Sequence, residues 1–111
     1  MYSAVDIADH IVGRCAKLGR PVTNLQLQKI FYYVQLNFLR AFDKYAFEDD
    51  ILALRHGPAE KEVYYKYNIW GRHEIVPRAV QAAKETFSEK DRELVDRVTD
   101  ACLLLDPWEL V

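Results

Sequence analysis

The chain has 111 residues, 50% of them hydrophobic and 29% charged, with a formal net charge of −2. That is the length of one domain with enough apolar material for a core, which excludes a disordered chain. A protein held on nucleic acid by counterion release carries a basic surplus, and this composition has none.

No run approaches the ~20 apolar residues that cross a bilayer. The N-terminal stretch contains acids and lacks the basic start and apolar run of a signal peptide. Cys15 and Cys102 sit inside helical patterns with no CxxC and no His-rich neighbourhood. Free buried thiols in a reducing compartment are the expectation, and with it a cytoplasmic protein with no membrane association.

The spacing predicts a first helix over about Ser3–Leu18. Ser3 with Asp6 resembles a capping box, and Ile7, Ile11, Cys15 and Leu18 recur at helical intervals. Gly19 is placed as a C-terminal cap and Pro21 stops any continuation. A second helix is predicted over Asn24–Phe42, with Thr23 and Gln26 as its capping box. It carries two apolar faces. Leu27, Ile30, Phe31, Val34, Phe38, Ala41 and Phe42 form the broader one; Leu25, Tyr32, Leu36 and Leu39 form a nearly opposite stripe. Gln28 and Gln35 share one polar seam, while Gln26, Lys29, Tyr33, Asn37 and Arg40 surround the other. Such a helix is either central to its domain, with both faces packed, which is the expectation, or it docks something from outside on one of them.

Ile51–Leu54 reads as a short extended or β segment near 51–55, closed by Gly57-Pro58. Pro58 suits the first turn of a helix expected over about Ala59–Asn68, with Val63, Tyr64 and Tyr67 inward. Glu74–Val76 reads as a further extended piece, and Ala79–Phe87 as weakly helical. Ser88 with Asp91 caps a last long helix to about Leu105, its apolar side made of Leu94, Val95, Val98, Ala101, Cys102 and Leu105. Asp106-Pro107 has the form of a further helix start. The fold expected is mainly α, a compact helical domain around the 24–42 helix.

Sites with chemistry are scarce. His10, His56 and His73 stand without metal-ligand spacing, and no phosphate-binding glycine loop is present. His56, beside Gly57-Pro58 and a predicted helix start, is the most site-like residue, and an enzyme acting through it is one reading. The helix–GRPVT–helix join is a second, a helix-turn-helix-like DNA-binding regulator. Against it, the second helix carries only Lys29 and Arg40 as basic residues, so nucleic acid is disfavoured.

Several blocks resemble the Panacea domain family of SocA/GepA-like, phage-associated antitoxins. Tyr2–Cys15 looks like its opening helix. Leu18–Gln35, LGRPVTNLQLQKIFYYVQ, looks like its most distinctive block, with Thr23, Asn24, Leu25, Leu27, Gln28, Lys29, Tyr32, Tyr33 and Gln35 matching by position. Ile51–Tyr67 looks like its strand–Gly-Pro–helix block, and FSEKDRELVDRV and DPWELV resemble the closing helices. Leu54 stands where the family commonly has Trp, and Ala59 where it has Val. The family commonly continues past ELV, so residues 1–111 read as a single Panacea-like domain lacking that C-terminal end.

The resemblance implies the antitoxin of a toxin–antitoxin system, often prophage-associated. It would neutralise a cognate protein toxin, encoded by the adjacent gene, through direct contact. A variant is an adaptor delivering the toxin to a protease. Neither needs a cofactor, metal or catalytic residue. Partner contacts are expected from polar or aromatic residues in or near the matched blocks: Gln28, Lys29, Tyr33 and Gln35 on the second helix, then His56, Tyr65 and Trp70. Trp70 and Tyr65 are the first anchors to test, because interface energy concentrates in a few aromatic or Arg residues. For Gln28 and Gln35 the competing role is to tie the helix to the strand segment; for Tyr33 and Tyr65 it is to cover the core.

Overall fold

The structure, a computed structural model, describes residues 2–47, 51–54, 57–76 and 87–105, with residues 51–54 and 57–59 described by their backbone alone. Its first helix, α1, spans Ala4–Lys17. Ser3 caps it, its hydroxyl accepting from the Asp6 N–H at 3.5 Å. Ile7, Ala8, Ile11, Val12 and Cys15 turn inward and are fully or almost fully buried. At the far end Gly19 adopts φ +71°. The Arg20 N–H reaches the Cys15 carbonyl and the Gly19 N–H the Ala16 carbonyl. This is the double closure that a left-handed residue permits after a helix. Leu18, expected inward, is exposed because that closure turns the chain away from the core.

Helix α2 spans Asn24–Phe42. Both halves of its capping box form: the Gln26 N–H donates to Thr23 Oγ1 at 3.2 Å, and the Thr23 N–H donates to Gln26 Oε1 at 3.0 Å. Leu27, Ile30, Phe31, Val34 and Phe38 are buried on its broad face. The following loop folds back over that face. Phe47 stacks on Phe31 with ring centroids 4.0 Å apart. Tyr2 pairs with this loop through an isolated parallel bridge to Phe47, its N–H donating to the Ala46 carbonyl at 2.8 Å.

The extended segment expected near 51–55 is strand β1, Ile51–Leu54. It pairs antiparallel with β2, Gly57–Glu60, in the register Ile51↔Glu60 to Leu54↔Gly57. Pro58 therefore lies in a strand opposite Ala53, and not in the first turn of a helix. In a hairpin alternate residues point their nitrogens away from the partner strand, as Glu60 does toward Gln28, and Pro58, two residues before it, therefore forfeits no ladder bond. Helix α3 starts later than expected, at Lys61, and runs to Tyr67. Its cap is Glu60, whose carboxylate accepts from the Val63 N–H at 2.8 Å. A 3-10 turn, Asn68–Trp70, continues it.

The 74–76 segment forms no strand. It is held through Ile75, which is buried and whose N–H donates to the Val22 carbonyl at 2.7 Å. The helix expected at 79–87 and the start expected at Asp106-Pro107 lie outside the described residues, Phe87 excepted. Helix α4 spans Glu89–Leu103, capped by Ser88, whose Oγ accepts from the Asp91 N–H at 3.2 Å. Leu94, Val95, Val98, Thr99 and Cys102 face inward, whereas Ala101 and Leu105 are exposed. The described part is thus four α-helices and one β-hairpin, with the core between α1, α2 and α4 and Val63 and Tyr67 of α3 closing one side.

Candidate partner-binding surface

Most charged and hydroxyl side chains with described partners hold one element to another. Asp9 of α1 receives Lys66 Nζ at 2.6 Å and the Tyr67 hydroxyl, so α3 is latched to α1. Burial, reinforced by the Asp9 carboxylate, pushes the Tyr67 phenol well above its ordinary pKa. Between α1 and α4, Arg14 makes two hydrogen bonds of 2.7 Å to Asp100, and His10 Nε2 lies 2.7 Å from Asp96 Oδ1. The hydrogen bond with Asp100 raises the Arg14 pKa, and the same bond holds the Asp100 carboxyl below its usual range.

The N-terminal segment is tied to the start of α4. The Tyr2 hydroxyl donates to Asp91 Oδ2 at 2.5 Å and accepts from the Ser88 N–H at 3.1 Å. Burial drives the Asp91 carboxyl upward, but hydrogen bonds from Tyr2 and Ser88 and the charge of Lys44 outweigh it, leaving its pKa lowered. The thiols are shielded rather than activated: burial pushes Cys15 up to about 11 and also raises Cys102. Among the described residues no three His, Cys, Asp or Glu side chains group to hold a metal, and no helix is long and apolar enough to cross a membrane.

The residues expected at a partner contact separate into groups. Gln28 is 7% exposed. Its Nε2 donates to Asn24 Oδ1 at 3.2 Å and its Oε1 accepts from the Glu60 N–H at 3.1 Å, so it ties α2 to the hairpin. A partner cannot reach a side chain so enclosed, and Gln28 is withdrawn from the surface. Gln35, half-buried, donates to the Phe47 carbonyl at 2.9 Å and accepts from the Ala46 N–H at 2.8 Å, fixing the loop after α2. Trp70 is half-buried against the core, which leaves only part of its ring to solvent. His56 lies outside the described residues. Lys29 is partly buried, Tyr33 is 37% exposed and Tyr65 58% exposed.

The second apolar stripe of α2 does not pack as expected. Tyr32 is 58% exposed and Leu39 39%, with Leu25 and Leu36 half-buried beside them. The buried face of α2 meets α4, but the opposite stripe has no comparable helix laid across it among the described residues. The Tyr32 and Tyr33 rings meet edge to face with centroids 5.7 Å apart. Sequence reasoning found this stripe and favoured its packing, which Tyr32 and Leu39 do not show. The available signal was that a 19-residue helix with two apolar faces needs more covering elements than a chain of 111 residues supplies easily.

These features define a mainly helical domain whose described polar clusters serve the fold and whose longest helix shows an aromatic and aliphatic face to solvent. The chain belongs to the family described as antitoxin SocA-like, Panacea domain, whose model matches residues 27–111. No curated protein and no solved structure matches the chain.

Proposed function

We propose that the protein is the antitoxin of a toxin–antitoxin pair. It acts in the cytoplasm as a binding protein without catalysis, neutralising a cognate protein toxin by direct contact. The family match over residues 27–111 carries this reading. The exposed face of α2 supplies the contact surface: Tyr32, Tyr33 and Leu39, with Lys29 beside them and Tyr65 of α3 as a further anchor. Tyrosines suit the role because a large rigid ring offers apolar area and a polar tip at small entropic cost. The same face argues against a DNA-reading helix, since α2 carries only Lys29 and Arg40 as cations and its outer stripe is apolar.

Co-expression with the product of the adjacent gene tests the reading. The expected result is rescue of growth together with a complex that co-purifies. Toxicity that persists at matched expression, with no complex, refutes it.

A further inference from the structure

We draw no further inference here: the strongest candidate, the surface stripe on the outer side of α2 made by the exposed Tyr32 and Leu39 and the half-buried Leu25 and Leu36, carries nothing beyond the surface already described, because nothing in the structure shows what covers it.

Discussion

Replacing Gln28 by alanine separates a residue that holds the fold from one that touches a partner. The substitution removes the acceptor of the Glu60 N–H and the donor to Asn24 Oδ1, at a position 7% exposed. A buried N–H left without an acceptor costs about 1–3 kcal/mol. The lost methylene adds roughly 0.8 kcal/mol, and the better helix propensity of alanine returns about half of that. The net expectation is about 1.5–3.5 kcal/mol. With ~2.1 cal/mol/K of unfolding entropy per residue, 1 kcal/mol shifts the melting temperature of a chain this size by about 4 °C. Thermal unfolding followed by circular dichroism should therefore show a fall of about 6–14 °C. Partner binding measured well below the transition should be unchanged. A melting temperature within about 2 °C of the parent, with binding lost, would refute the reasoning and return Gln28 to the partner surface.

Tyr32→Ala should do the reverse, changing stability by no more than about 0.5 kcal/mol at an exposed site while weakening growth rescue and complex recovery; a melting temperature lowered by 8 °C would show that the ring is part of the core. The lowered pKa values of Asp91 and Asp100 give a pH prediction: groups ionised more readily when folded contribute stability above the ordinary carboxylate pKa and lose it as pH falls through their folded values. Unfolding free energy should fall below about pH 4, and Asp91→Asn should flatten that fall in denaturant titrations at pH 5 and pH 3; an unaltered slope would contradict the assignment. Cys15 and Cys102, buried and with raised pKa, should resist Ellman's reagent at pH 8 in the folded protein and react once guanidinium unfolds it; rapid reaction of either thiol in the native state would show that α1 and α4 part readily.

The helices were legible because their starts are written within four residues of chain. Ser3, Thr23 with Gln26, and Ser88 each place a side-chain oxygen near an N–H three residues on, and all three caps form. The broad face of α2 was legible for a related reason, since a recurring apolar interval requires burial of that side. The α3 start was misread because Gly57-Pro58 is compatible with both a helix entry and an edge strand. Pairing with Ile51–Leu54, a tertiary choice, decided for the strand and moved the cap to Glu60.

The expected surface shows the same division. Gln28, Gln35, Tyr33 and Lys29 come from one helix and one matched block, yet two amides are engaged by distant backbone while Tyr33 stays in solvent. Periodicity reports which side chains share a face; it holds no information about which face another element will cover. By itself, then, the sequence determined the caps, the lengths of α1, α2 and α4, the inward face of each and the family resemblance, because these depend on neighbours within a turn or two. Only the tertiary structure decided that Pro58 joins a strand, that Asp9, Asp91 and Asp100 bind residues on other elements, and that Tyr32 and Leu39 of the second α2 stripe are exposed. Those outcomes depend on which of several chemically adequate partners the folded chain brings within about 3 Å.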